Sequence, residues 1–95
     1  MSQRIAIVAE RSRLEMALDA IPGMTRYPSA ANFVLARVPD AGRATEALNR
    51  RGILIRNLHG SHELLANCLR LTVGTPDENT KLIEALASAV ATFPR

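Results

Sequence analysis

Three features of this sequence predict an α+β domain, an α/β sandwich in which helices pack on one face of a small, mostly antiparallel or mixed sheet. Apolar residues recur at helical spacing near both ends and in the middle of the chain. Two helix starts carry recognisable caps, at Asp40 and at Thr75. Between the helices lie short runs of β-formers, one of which alternates cleanly. From Arg4 to Ala20, the residues Leu14, Leu18 and Ile21 follow Ile7 and Val8 at helical spacing, and Pro22-Gly23 stops the helix. Met24 to Tyr27 reads as a short extended piece, Pro28 and Ser29 as a turn, and Asn32 to Val38 as a strand that Pro39 ends. Asp40 caps a second helix, Ala41 to Arg51, with Ala44, Ala47 and Leu48 on its apolar face and Gly52 at C′. Ile53 to Arg56 reads as a short strand. Asn57 to Asn67 has no period and reads as a loop with room for one turn at His62 to Leu65.

In the strand Cys68 to Val73, Leu69, Leu71 and Val73 share one face, so Cys68, Arg70 and Thr72 point the other way. Thr75 as N-cap, Pro76 at N1 and Glu78 at N3 form a capping box that opens a last helix. That helix runs to about Thr92 with Leu82, Ile83, Leu86 and Val90 inward. Three amphipathic helices can cover only one face of so small a sheet. The other face is expected to meet solvent or another domain.

The chain has 95 residues, enough for one domain, and roughly 60 to 65% of the surface exposed when unfolded is buried at this size. Its single cysteine, Cys68, excludes an internal disulfide, and a buried free cysteine is most often a small hydrophobe. No apolar run approaches the ~20 residues that span a bilayer, and no signal peptide is visible, so no membrane partner and a cytoplasmic location are expected. The net charge of +3 comes from scattered arginines, of which only Arg50 and Arg51 adjoin. Tyr27, Phe33 and Phe93 are the only aromatics, too few for a stacking platform, and this argues against a nucleic-acid partner.

Arg70 offers the most chemistry. A guanidinium is always charged and presents a planar fork that matches carboxylate or phosphate. An arginine on a sheet face is nonetheless most often simply solvated. The same two readings apply to Arg56 at the end of its strand, and Asn32 divides evenly between satisfying backbone and binding a ligand. Tyr27 reads as packing and Ser29 as turn chemistry. His59, His62 and Glu63 superficially suggest a metal, but zinc needs three or four suitable ligands and Cys68 has no partner cysteine, so no metal is expected.

Three stretches, YPSAANFVLARVP (Tyr27 to Pro39), GILIRN (Gly52 to Asn57) and NCLRLTVGTPDEN (Asn67 to Asn79), together resemble the C-terminal small domain of fold type I pyridoxal-phosphate-dependent aminotransferases. The resemblance is strongest to the histidinol-phosphate aminotransferase family and spans nearly the whole chain. It implies that Arg70 grips the anionic end of a phosphorylated small-molecule substrate, that Arg56 is a second phosphate contact, and that Asn32 lies on the cofactor side. Two arginines on one dianion favour phosphate over a lone carboxylate. The resemblance also implies a homodimer, and glutamate as amino donor.

An aminotransferase of this kind needs a Schiff-base lysine and a phosphate cradle for pyridoxal 5′-phosphate. Lys81 is the only lysine, it sits beside Leu82 and Ile83 in the last helix without the family's flanking motif, and no glycine-rich phosphate loop is present. No catalytic residue and no bound cofactor are therefore expected in this chain. It reads as a single domain, residues 1–95, whose large cofactor-binding domain lies elsewhere, and which does not transaminate alone. The threonine-phosphate decarboxylases share the small-domain plan, and a stand-alone binding module is the reading from a different class.

Overall fold

The computed structural model describes residues 3–27 and 32–92. The turn expected at Pro28 and Ser29, like the side chain of Ile7, lies outside the described residues. Helices form at Gln3–Asp19 (α1), Ala41–Arg50 (α2) and Pro76–Ala91 (α3), and strands at Thr25–Arg26 (β1), Phe33–Arg37 (β2), Arg56–Asn57 (β3) and Cys68–Thr72 (β4). The sheet order is β1-β2-β4-β3 with every neighbouring pair antiparallel, so the mixed alternative falls away.

One apolar layer joins sheet and helices. Val34 and Val38 from the β2 segment and Leu69, Leu71 and Val73 from the β4 segment meet Leu14, Leu18, Ala44, Leu48, Leu82 and Leu86, all buried. All three helices thus lie on the same face of the sheet. Val8, expected on the core face of α1, is instead 46% exposed.

Helix ends follow from their capping chemistry. At the end of α2, Gly52 sits at φ 77, its N–H bonds the Asn49 carbonyl, and the Ile53 N–H bonds the Leu48 carbonyl. This is a Schellman motif, and it explains the fit of glycine at C′. The same bond corrects the extent of the third strand. Ile53 to Ile55 read as strand, but the Ile53 amide is committed to the helix end, and pairing with β4 begins only at Arg56. Ile53 and Ile55 still pack against the core, while Leu54 is 86% exposed.

At the start of α3 the capping box forms as expected: the Glu78 N–H donates to Thr75 Oγ1 at 3.2 Å and the Thr75 N–H to Glu78 Oε1 at 2.9 Å. A Cβ at Gly74 would stand 2.7 Å from that same carboxylate oxygen, so a side chain there would push the cap apart. Just behind it, Asn79, 1% exposed, accepts from the Gly74 N–H at 2.8 Å and donates to the Gly74 carbonyl at 3.1 Å and Glu10 Oε1 at 3.0 Å. Glu10 also takes Arg13 at 2.8 Å, and Arg13 reaches the Pro76 carbonyl at 2.9 Å. The end of β4 is thereby tied to both α1 and α3. At the opposite edge, Arg26 forks onto Asp19 at 2.9 and 3.1 Å and reaches Glu15 at 3.0 Å, which pins β1 to α1.

These contacts set an acid limit on the fold. Arg13 and then Asn79 hold the Glu10 carboxyl below its ordinary 4.5, Arg26 holds Asp19 below 3.8, and the Thr75 backbone and side chain hold Glu78 below 4.5. Depressed carboxyls give stability that is complete above the unfolded values and is lost as pH falls through the folded ones. The thermal midpoint is expected to hold near neutrality and to drop as pH falls below about 4.5; a midpoint that rises on acidification would contradict it.

Candidate functional site

The face of the sheet away from the helices carries the candidate residues. In β2 and β4 the register sets Phe33 opposite Thr72, Leu35 opposite Arg70 and Arg37 opposite Cys68. On the far side of β4, Arg56 stands directly opposite Arg70. Paired residues share a face, so Leu35, Arg70 and Arg56 form one row across three strands, with Phe33 and Thr72 in the row beside it.

Two guanidiniums side by side repel. Directly opposed residues have Cβ atoms roughly 5 Å apart, and unit charges at that spacing cost on the order of 1 kcal/mol in water, more where water is partly excluded. The usual remedy is a carboxylate between them. Among the described residues no ion pair involves Arg56 or Arg70, whereas Arg13, Arg26, Arg43 and Arg50 are all paired with Asp or Glu. The Arg70 guanidinium lies over the Phe33 ring, whose centroid is 5.8 Å from Cζ. Arg70 is half-buried and Arg56 exposed. Such a pair can accept a dianion, with Arg70 as the more fixed of the two forks.

One end of this face is closed. Arg37 Nε donates to the Ala66 carbonyl at 3.0 Å and its Nη2 to the Leu64 carbonyl at 2.7 Å, while its guanidinium lies 5.6 Å from the Tyr27 ring centroid. The loop from Leu58 to Asn67 is thus drawn over the Arg37 end of the sheet. The register keeps Cys68 on this face, as alternation predicts, and it is nonetheless only 1% exposed. Within the loop, a 3₁₀ turn at Glu63–Leu65 has His62 as its cap. His62 Nδ1 accepts the Leu64 N–H at 3.1 Å, and His59 Nδ1 accepts the Asn67 N–H at 2.9 Å. Both histidines therefore serve the loop backbone, and no group of three or more potential metal ligands converges among the described residues.

Asn32 is not brought to the arginines. Its carbonyl accepts the Val73 N–H at 2.7 Å, extending the β2–β4 ladder by one pair. By pleat it shares parity with Val34 and Ala36, on the helix side. Residue type alone gives no signal for Phe33, whose ring is the group that lies by the Arg70 guanidinium. Lys81 is exposed on α3. It lines a cleft of about 510 Å³ with Ile53, Leu54, Ile55, Thr72 and Leu82, and neither Arg56 nor Arg70 reaches that cleft. The cleft exists because Ile53 to Ile55 leave the ladder. No helix among the described residues is long and apolar enough to cross a membrane.

No family model matches the chain. It is 57% identical over 84 residues to the histidinol-phosphate aminotransferase of Methylibium petroleiphilum, covering 88% of this chain and 23% of that protein. Among solved structures, a histidinol-phosphate aminotransferase from Clostridium acetobutylicum superposes with a TM-score of 0.84 at 25% identity, over 94% of this chain and 28% of that one. An L-threonine-O-3-phosphate decarboxylase from Porphyromonas gingivalis shares the fold, with a TM-score of 0.81 at 24% identity over 90% of this chain and 27% of that one. The chain spans about a quarter of the length of the curated relatives it matches.

Proposed function

We propose, for a chain that belongs to the histidinol-phosphate aminotransferase family and matches a quarter-length segment of its relatives, that it is the small domain that clamps the substrate's phosphate. The observation that carries this is the directly opposed pair Arg56 and Arg70, without a carboxylate among the described residues. In this reading Arg70 gives the primary fork and Arg56 the second contact, and a dianion relieves their mutual repulsion. The complete enzyme would transfer an amino group from histidinol phosphate in histidine biosynthesis, as a cytoplasmic homodimer. Closure of this domain over the substrate would exclude water from the reacting centre.

The residues of this chain do not fit a pyridoxal-phosphate pocket. Lys81, the only lysine, is exposed on α3 at the mouth of the cleft rather than beside the two arginines. The cofactor of the complete enzyme would be held by residues outside this chain, and its chemistry takes no step through the residues described here.

Turnover of histidinol phosphate, unphosphorylated histidinol and threonine phosphate by the full-length protein tests the reading. Histidinol phosphate is expected to be the preferred substrate. Arg56→Ala is expected to lower kcat/KM for it roughly 5- to 30-fold, the scale of one exposed charged hydrogen bond, and to leave histidinol nearly untouched. Preference for threonine phosphate would move the domain to the decarboxylase relatives. Equal losses on both histidinols would remove Arg56 from the phosphate site.

A further inference from the structure

We propose that Phe33 is the positioning residue of Arg70, its ring holding the guanidinium on the open sheet face with the N–H fork free for an anion. This rests on the reading of Arg70 as the anion clamp. An arginine side chain has many rotamers, and ordering it costs about 2 kcal/mol of entropy unless something already restrains it. In this domain Arg26 is restrained by Asp19 and Glu15, and Arg13 by Glu10. Those carboxylates occupy the donors they hold. Arg70 has no such partner among the described residues, and its Cζ lies 5.8 Å from the Phe33 ring centroid.

The register makes this contact a consequence of the sheet. Phe33 pairs with Thr72 and Leu35 with Arg70, so Phe33 stands diagonally from Arg70 on the same face, a separation that aromatic side chains span. A ring attracts a guanidinium through its face, and the donors lie in the guanidinium plane. A holder of this kind therefore does not compete with the ligand. Arg37 provides the contrast within the same sheet: it too lies over a ring, Tyr27, but its Nε and Nη2 are spent on two carbonyls. Phe33 is itself 36% exposed, so core packing alone does not account for an aromatic at this position.

The test uses the 95-residue chain and inorganic phosphate, followed by NMR at the Arg70 Hε and Cζ resonances. In the wild-type chain these are expected to carry a ring-current displacement that Phe33→Leu abolishes and Phe33→Tyr retains. Phosphate affinity at Arg70 is expected to fall about two- to five-fold in Phe33→Leu and to return in Phe33→Tyr. Arg37 resonances, held by Tyr27, should stay in place and report that the sheet is intact. Arg70 resonances indifferent to Phe33→Leu would overturn the positioning role, as would an affinity loss that Phe33→Tyr fails to restore. A ring-displaced Arg70 that ignores phosphate in the wild-type chain would instead overturn the anion-clamp reading.

Discussion

Arg70→Ala in the full-length enzyme is expected to lower kcat/KM for histidinol phosphate by one to two powers of ten, or about 1.5 to 3 kcal/mol, the scale of a hydrogen bond to a charged group. The loss should appear chiefly in KM, because an interaction with the phosphate is made in ground state and transition state alike. Arg70→Lys keeps the charge but not the fork, and an intermediate loss is expected. The fold should not suffer. Arg70 holds no ion pair among the described residues and stands opposite another cation, so removing it relieves repulsion. A variant with normal kinetics, or one that loses activity only because it melts, would sink the assignment.

The largest expected loss of stability lies elsewhere, at Asn79. Its amide makes three hydrogen bonds, two to the Gly74 backbone and one to Glu10, from a side chain that is almost wholly buried. Asn79→Ala deletes all three and leaves the Gly74 N–H and C=O without their partner. A destabilisation of about 2 to 4 kcal/mol is expected, read as a shift in urea midpoint at unchanged slope. Asn79→Asp sharpens the test. It places a carboxylate against Glu10 and against the Gly74 carbonyl, so the variant should be less stable at neutral pH and recover part of the loss as the new carboxyl is protonated. Wild-type stability in both variants would show that the tie between β4, α1 and α3 is dispensable.

What was legible in the sequence was local. The Thr75 and Glu78 cap, the Gly52 stop and the alternation of Leu69, Leu71 and Val73 each follow from a few neighbouring residues, and each matches the structure. What was not legible depended on partners far along the chain. Ile53 to Ile55 has the composition of a strand, yet its first amide is taken by the end of α2. Cys68 has outward parity, yet Arg37 draws a loop across it. Asn79 precedes Leu82 and Leu86 on the buried stripe of α3, but a polar residue there is invisible to a hydrophobic pattern until its acceptors and donors are known. The arginine pair is the same kind of case. Arg56 and Arg70 are each readable as candidates, but the fact that they stand opposite one another is a matter of register, and local pattern does not specify register between distant strands.

The short link between α2 and β3 has a consequence for how this segment can change in length. It is clamped at one end by the Ile53 bond to Leu48 and at the other by the pairing of Arg56 with Arg70. Side chains in an extended chain alternate, so one residue added or removed between Gly52 and Arg56 would turn that arginine toward the helices and put Ile55 or Asn57 in its place. The loop from Leu58 to Asn67 is fixed at its ends, where the Leu58 N–H bonds the Cys68 carbonyl and the Asn67 carbonyl accepts the Val38 N–H, but between them it turns rather than runs extended, so its length carries no such constraint on parity. Insertions and deletions should therefore accumulate on one side of β3 and be excluded from the other, leaving a fixed-length spacer before the second arginine and a freely variable one after it.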